Sequence, residues 1–240
     1  NIVITITGTN DTTSISGKDV GTVQEDLTLS ATGQLTATDV DHDASATWSV
    51  QGNDHSSYGT FTVNQSGQWT YTLANSTNAV QSLAEGQHIT ETYTVKVADS
   101  HGAFDTQDVT ITINGTNDLP TITGGTGSVV EDGVPQPQTA SGTITFGDID
   151  LQDVNTLKVT SADGLNTTKA IVENTTPVTE SMDVLGKYDA LTLNENGQWT
   201  YTLDNSKVQT LSEGEQVKET FAVSYSDTHG GLATNNIVVT

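Results

Sequence analysis

The sequence contains the same series of motifs twice, in the same order. The heptapeptide GQWTYTL occurs at 67–73 and again, without a change, at 197–203. Shorter motif pairs surround it: GTND at 8–11 and 115–118, VQED at 23–26 and VED at 130–132, LAEG at 83–86 and LSEG at 211–214, and DSHG at 99–102 and DTHG at 227–230. A repeated series of this extent indicates two copies of one structural unit.

The distance between the copies is not constant along the chain. GTND recurs after 107 residues (8 to 115), whereas GQWTYTL recurs after 130 (67 to 197). The second copy therefore contains an insertion around 151–187, which a loop accepts at small entropic cost. We predict that residues 1–7 are the last strand of a preceding repeat, that 8–117 form repeat 1, and that 118–240 form repeat 2.

Apolar and polar residues alternate in several stretches, among them 2–7 (IVITIT), 93–97 (YTVKV) and 109–113 (VTITI). A period of two is typical of a strand with one buried face and one face in water, and no segment shows a convincing helical period. The 44 threonines also favour extended backbone, because they are β-branched. Each copy has about the length of a seven-stranded sandwich. We therefore predict an all-β chain of two tandem antiparallel β-sandwich domains.

The charge of the chain excludes several classes of partner. Thirty acidic residues stand against seven basic ones, all lysine, for a net charge of −23. Phosphate binding needs cationic side chains, so nucleic acid is excluded, and an anionic membrane surface is equally unfavourable. No apolar run approaches the roughly 18 residues of a membrane span, so we expect no membrane insertion in this segment. The sequence has no cysteine, which excludes disulfides and thiolate metal sites.

Two carboxylates stand two residues apart in each copy, Asp39 with Asp41 and Asp148 with Asp150. In extended backbone both members of a pair point to the same side, and they repel each other unless a cation lies between them. Seven lysines cannot neutralise thirty acids, whereas Ca²⁺ takes about six to eight oxygens from carboxylates, amides and backbone. We therefore predict calcium as the cofactor; the alternative is that these acids are solubilising surface residues.

Several motifs together resemble one known family. They are GTND at each junction, V-x-E-D, T-D-V-D, Y-G-T-F-x-x-N-x-x-G-x-W-x-Y-x-L, L-x-E-G-x-x-x-x-E-T-Y and D-x-H-G. In this combination the chain resembles the VCBS-type repeats, which are cadherin-like or Ig-like Greek-key β-sandwich modules of giant bacterial RTX adhesins. The resemblance covers nearly the whole chain, although YDA at 188–190 departs from YGT at 58–60.

The resemblance implies a function. It implies calcium-rigidified extender repeats of an extracellular, bacterial cell-surface protein that is secreted by a type I system. Such repeats support cell adhesion and biofilm formation by projecting a distal binding domain. The alternative function is a calcium-dependent carbohydrate- or cell-binding module, for which the insertion would be the best surface.

The resemblance also implies how the acidic motifs combine, because cadherin-like modules join an early Glu of one domain to a linker Asn-Asp pair and to the DxD of the next. For the junction within this chain we expect the ligands Glu25, Asp26, Asp99, Asn117, Asp118, Asp148 and Asp150. A junction with a preceding repeat would use Asn10, Asp11, Asp39 and Asp41, and one with a following repeat Glu131, Asp132 and Asp227. The expected partners are thus neighbouring repeats of the same chain, and we expect a monomer with no small-molecule substrate.

Other conspicuous residues are better explained by packing or by turns. Trp69 and Trp199 alternate with threonine, which predicts core positions. His101 and His229 lie in D-x-H-G segments, which predict hairpin turns because Asp and Gly favour turns. No G-x-S-x-G or H-E-x-x-H motif occurs, and the acids recur in both copies rather than in one cleft. We therefore predict that the chain is not an enzyme.

Overall fold

The chain folds into two compact units, which comprise residues 1–116 and 117–240. The computed structural model describes residues 1–41, 45–132, 137–161, 166–170 and 181–240, with only the backbone for 166–170. Part of the insertion predicted at 151–187 therefore lies outside the described residues.

Unit 1 is a sandwich of two four-stranded sheets. Its elements are β1 (Ser14–Gly17), β2 (Val20–Gln24), β3 (Ser30–Thr38), β4 (Thr47–Gln51), β5 (Gly59–Val63), β6 (Gln68–Leu73), helix α1 (Asn78–Gln81), β7 (His88–Ala98) and β8 (Phe104–Asn114). The strand orders are β1-β3-β6-β5 and β2-β8-β7-β4. The described residues of the unit form eight strands rather than seven, because the chain passes from one sheet to the other between β1 and β2. Gly17 makes this crossing with a φ of 126°, which favours glycine.

Unit 2 repeats this architecture with additional short strands. Its elements are β9 (Thr121–Ile122), β10 (Gly125–Gly127), β11 (Thr139–Thr143), β12 (Phe146–Gly147), β13 (Thr156–Ser161), β14 (Asn166–Ala170), β15 (Ser181–Leu185), β16 (Ala190–Asn194), β17 (Gln198–Thr202), a 3₁₀ turn (Asn205–Lys207), β18 (Glu219–Ser226) and β19 (Leu232–Val239). The described strands form three sheets, with orders β10-β19-β18-β13-β14, β11-β17-β16-β15 and β12-β9.

The predicted fold class is confirmed. Almost all neighbouring strands are antiparallel; the exceptions among the described strands are β2 with β8 and β10 with β19, which pair in parallel. The longest pairing joins β7 to β8 over eleven residue pairs, from His88–Asn114 to Ala98–Phe104. This hairpin spans unit 1 from one end to the other, about 35 Å at the usual rise per residue.

Each unit packs around one of the two repeated tryptophans. Trp69 is 0% exposed and Trp199 is 2% exposed, as their alternation with threonine predicts. The strand that faces each ring contributes a glycine: a Cβ on Gly33 would lie 2.4 Å from the Trp69 ring, and one on Gly142 would lie 2.7 Å from the Trp199 ring. The repeated heptapeptide is thus the centre of both hydrophobic cores.

Candidate metal centre

The acidic motifs of unit 2 converge near the first residues of the unit. Asp148 and Asp150 follow the short strand β12, and Asp227 follows β18. The amide of Asn117 donates to the Asp227 carboxylate at 3.2 Å. The backbone N–H of Asp118 donates to Asp150 at 2.8 Å. The GTND, DxD and D-x-H-G motifs, which are far apart in sequence, therefore form one cluster.

Three carboxylates in this cluster are close enough to share one cation. Asp148, Asp153 and Asp227 each offer an oxygen, and these oxygens all lie within 4.8 Å of one another. Asp153 is 3% exposed and Asp150 is 1% exposed. Asp148 and Asp227 are partly buried. Like charges at this separation, shielded from water in part, repel one another, so a cation would stabilise the arrangement.

The pKa values in the cluster reflect this repulsion. Burial raises the pKa of Asp150 to about 6, and the nearby carboxylates of Asp118 and Asp148 add to the rise. Burial also raises the pKa of Asp148, and the charges of Asp153 and Asp227 contribute. Without a positive charge nearby, these groups therefore hold their protons more tightly than ordinary aspartates.

Several buried polar atoms in the cluster have no hydrogen-bond partner within the described part of the chain. They are Asn117 Oδ1, Asp148 Oδ2, Asp150 Oδ1, Asp153 Oδ1 and both side-chain polar atoms of Asn155. A buried polar group without a partner costs about 1–3 kcal/mol, and more when it is charged. Five of these six atoms are oxygens of carboxylates or amides, the ligand type that Ca²⁺ prefers. The residues present thus fit a hard divalent cation.

The sequence comparison missed Asp153 and Asn155. They correspond to Ala44 and Ala46 in the first copy, because the DxD motifs and the following strands are 109 residues apart (39 to 148). The repeat pattern identifies only acidic residues that occur in both copies, so it does not identify a ligand that is present in one copy alone. The signal that could have found them is an acidic residue and an amide close behind a DxD motif.

Unit 1 has a similar but more exposed cluster. The amide of Asn10 donates to Asp99 at 2.9 Å, and the backbone N–H of Asp11 donates to Asp41 at 2.8 Å. Thr13 donates its hydroxyl hydrogen to Asp39 at 2.8 Å. The hydrogen bond from Asn10 lowers the pKa of Asp99, and the backbone donors at His101 and Ala103 act in the same direction.

The D-x-H-G segments are hairpin turns, as predicted. The carboxylate of Asp99 accepts from the backbone N–H of His101 at 2.8 Å and of Ala103 at 3.0 Å. Asp227 accepts from His229 and Gly231 in the same way, both at 2.8 Å. In unit 2 the ring Nδ1 of His229 also lies 3.0 Å from Asp153.

The expected grouping of Asp99 with Glu25 is wrong. Glu25 is fully buried, and its carboxylate accepts from the Gln81 amide at 2.7 Å and from the Thr116 N–H at 3.3 Å. Thr116 follows the end of β8, whereas Asp99 lies in the turn before its start. The length of the β7–β8 hairpin separates the two carboxylates, so they cannot share an ion. Asp99 and Asp227 belong instead with the Asn-Asp pair at the start of their own unit.

Asp26 and Asp132 occupy a second kind of site. Both have a positive φ, 55° and 52°, which is uncommon for residues other than glycine. Each exchanges two hydrogen bonds with an asparagine: Asp26 with Asn75 at 2.9 and 2.6 Å, and Asp132 with Asn205 at 2.8 and 2.6 Å. These carboxylates stabilise a turn beside Glu25 and Glu131, whatever else they bind.

Comparison with known proteins gives the same assignment for the fold. Residues 10–115 match the family model for a bacterial cadherin-like domain. No curated protein sequence matches the chain. Extracellular cadherin domains 1–5 of protocadherin gamma B2 align over 96% of this chain, with 13% identity and a TM-score of 0.51, and the chain spans 40% of that structure. Domains 1–4 of protocadherin gamma B7 align over 95% of the chain and 49% of the structure, with 15% identity and a TM-score of 0.44.

The family match supports a cadherin-like repeat in residues 10–115, and the protocadherin gamma B2 structure supports a cadherin-like fold for the chain. No helix among the described residues is long and apolar enough to cross a membrane.

Proposed function

We propose that the chain is a pair of calcium-stiffened extender repeats of a bacterial cell-surface adhesin. The ligands in unit 2 are Asn117, Asp118, Asp148, Asp150, Asp153, Asn155 and Asp227. Those in unit 1 are Asn10, Asp11, Asp39, Asp41 and Asp99. Calcium supplies the positive charge that neutralises these carboxylates when it is bound. The observation that carries the proposal is the set of buried, unpartnered oxygens around Asp153.

The stiffening follows from where the ligands lie in the chain. Thr116 is the last residue of unit 1, and Asn117 and Asp118 are the first two residues of unit 2. If Asn117 and Asp118 both bind the ion, the backbone directly after Thr116 is fixed, which removes conformational freedom between the two units. A long array of such repeats would project a distal binding domain from the cell.

The acidic residues near the opposite end of each unit remain candidate ligands. Glu25 lies against Thr116, directly before the Asn117–Asp118 pair, and Glu131 holds the corresponding position in unit 2. The neighbouring Asp26 and Asp132 would add carboxylate oxygen. RTX-type secretion and a role in biofilm formation are part of the proposal and rest on the sequence resemblance alone.

Thermal unfolding tests the proposal directly. The chain is melted in chelator, in millimolar Mg²⁺ and in millimolar Ca²⁺ at matched ionic strength. An ion that binds only the folded state adds about 2.7 kcal/mol per site at 100 times its Kd, so we expect a large rise in Tm with calcium and little with magnesium. Equal melting temperatures in all three solutions would contradict calcium binding.

A pair of variants separates the proposed site from general charge effects. The double variant Asp148→Asn, Asp150→Asn should lose most of the calcium-induced rise in the Tm of unit 2. Asp183→Asn is the control, because Asp183 is an exposed aspartate on β15 of the same unit, outside the acidic cluster. Small-angle scattering with and without calcium then measures stiffening: the spread of interdomain distances should narrow with calcium in the control but not in the double variant.

A further inference from the structure

His229 contacts two of the three carboxylates of unit 2 that are close enough to share one cation. Its backbone N–H donates to Asp227 Oδ1 at 2.8 Å, and its ring Nδ1 lies 3.0 Å from Asp153 Oδ2. These two carboxylates and that of Asp148 offer oxygens within 4.8 Å of one another. One residue therefore joins two parts of the candidate site that are 74 residues apart in the sequence (153 to 227).

The hairpin turn does not account for the contact of the ring. Any residue except proline can supply the backbone N–H that this turn needs. In unit 1 His101 supplies it to Asp99 at the same distance, 2.8 Å, while its ring lies 3.3 Å from the Ser100 hydroxyl. The first copy has Ala44 where the second has Asp153. The contact between ring and carboxylate therefore occurs in the unit that has the additional acidic residue.

The two oxygens of Asp153 are in different environments. The side chain of Asp153 is 1% exposed, whereas that of His229 is 32% exposed. Oδ2 lies against the ring, and Oδ1 is buried without a hydrogen-bond partner in the described part of the chain. Because an ionised carboxylate only accepts hydrogen bonds, Nδ1 of the ring carries the proton of this contact. The oxygen that remains for a cation is Oδ1.

A donor at Oδ2 restricts the rotation of the carboxylate. The last torsion of an aspartate side chain has broad preferences, so a carboxylate without a donor can turn. The hydrogen bond from the ring holds the plane of the group and thereby the direction of Oδ1. A ring with one proton does this without a positive charge, whereas a lysine or arginine at this position would repel the bound cation.

We propose that His229 is a positioning residue for calcium in unit 2. Its ring holds Asp153 so that this carboxylate binds the ion through Oδ1 alone, and its backbone N–H holds Asp227 in the same group. The ring itself does not bind the ion. This inference rests on the proposed function, because it assigns a role within the same site. His101 has no such role, since the first copy lacks the carboxylate that its ring would hold.

Calorimetric titration of the 240-residue chain with calcium tests the proposal. Loss of a hydrogen bond that orients a metal ligand typically costs about 10- to 100-fold in metal affinity. We expect His229→Ala to weaken calcium binding by unit 2 to this extent. His101→Ala is the matched control, because it removes the same ring from the equivalent turn, and it should leave the calcium affinity of both units unchanged.

Two further variants separate positioning from a general structural role. His229→Asn should keep most of the affinity, because the amide nitrogen of asparagine is the same number of bonds from Cα as Nδ1 and can donate in its place. His229→Gln moves the amide nitrogen one bond further away and should bind as weakly as His229→Ala. All of these variants keep the backbone N–H that Asp227 accepts, and cooperative thermal unfolding in chelator shows that each is folded.

Nitrogen-15 NMR of the ring gives a readout besides calcium affinity. In chelator at pH 8, well above the ordinary histidine pKa of about 6.5, the ring of His229 should be in the Nδ1–H form. Asp153→Ala should reduce the population of that form, because it removes the acceptor. With calcium the Nδ1–H form should persist in the unsubstituted chain. A change to the Nε2–H form on addition of calcium would mean that Nδ1 has become a ligand, and would overturn the proposal.

The outcomes distinguish this proposal from the proposed function. If the unsubstituted chain binds calcium and His229→Ala binds it equally well, the positioning role is wrong and the calcium site stands. Equal losses in His229→Asn and His229→Ala would also overturn the positioning role, because the donor would then not be what matters. If the unsubstituted chain binds no calcium, both proposals fall.

Discussion

In unit 2 the backbone N–H of Asp118 donates a hydrogen bond of 2.8 Å to the carboxylate of Asp150. Asp11 makes the same contact with Asp41 in unit 1, also at 2.8 Å. The donor is a backbone group, so this contact joins the GTND motif to the DxD motif without using the side chain of the first aspartate. The start of each unit is therefore joined to its acidic cluster by a backbone contact, and ligation by the side chains of the Asn-Asp pair would add to it.

The two clusters should differ in calcium affinity, because only unit 2 has Asp153 and Asn155. Replacing both with alanine reproduces the residues of the first copy at these positions. We expect the double variant to lose about tenfold or more in affinity at the tighter site, since one carboxylate and one amide oxygen are removed. Calorimetric titration of the full chain should show two classes of site that become alike in the variant.

The matched variant for this titration is Asp39→Asn, which weakens the cluster of unit 1 alone. It should lower the weaker affinity and leave the tighter one unchanged. If Asp39→Asn instead weakens the tighter class, the ranking of the two clusters is reversed.

The sequence predicted the parts of this molecule that depend on pattern. Alternation predicted β7 and β8 and placed Trp69 and Trp199 in the two cores, whereas the alternating residues 2–7 are exposed and form no strand. The repeated motifs identified most of the clustered acids. The grouping of Asp99 could not be predicted the same way, because it depends on which end of a long hairpin a turn occupies. Asp153 was missed because its role comes from burial beside Asp148 and Asp227, and burial depends on three-dimensional packing.

The stability of the chelated protein should fall as the pH rises from about 4 to about 6. The folded protein holds the Asp150 proton with a pKa of about 6, whereas an unfolded aspartate releases it near 3.9. Between these values the folded state binds more protons, so its free energy of unfolding decreases with increasing pH. Each pKa unit corresponds to about 1.4 kcal/mol, which gives an effect of a few kcal/mol.

Chemical denaturation in chelator at pH 4.5, 5.5 and 6.5 measures this slope, and Asp150→Asn should flatten it. Hydrogen bonds lower the pKa of the exposed Asp132 and Asp204. The stability that these two groups contribute increases with pH, which is the opposite sign. That change takes place below about pH 4, outside the pH range of this measurement. A free energy of unfolding that rises with pH across this range would contradict the buried position of Asp150.

Removing one hydroxyl group should destabilise the two units unequally. In unit 2 the Tyr201 hydroxyl donates to the buried Glu219 carboxylate at 2.7 Å. In unit 1 two tyrosine hydroxyls bond to the corresponding carboxylate: Tyr71 and Tyr93 donate to Glu91 at 2.8 and 2.9 Å. The second tyrosine has no equivalent in unit 2, where Phe221 takes its place. Glu219 also accepts from the backbone N–H groups of Lys187 and Tyr188, but at its other oxygen, Oε1. Tyr201→Phe therefore removes the hydroxyl donor from the buried Oε2 of Glu219, whereas Tyr71→Phe leaves Glu91 Oε2 with the Tyr93 hydroxyl.

We expect Tyr201→Phe to lower the stability of unit 2 by about 1.5–3 kcal/mol, the range for a hydrogen bond to a charged group, and Tyr71→Phe to cost unit 1 about half as much. Differential scanning calorimetry of the full chain can follow both transitions, and each variant should shift only one of them. Tyr93→Phe is the internal control and should resemble Tyr71→Phe. If Tyr201→Phe and Tyr71→Phe cost the same, a second hydroxyl donor at the same carboxylate oxygen does not reduce the cost of losing the first.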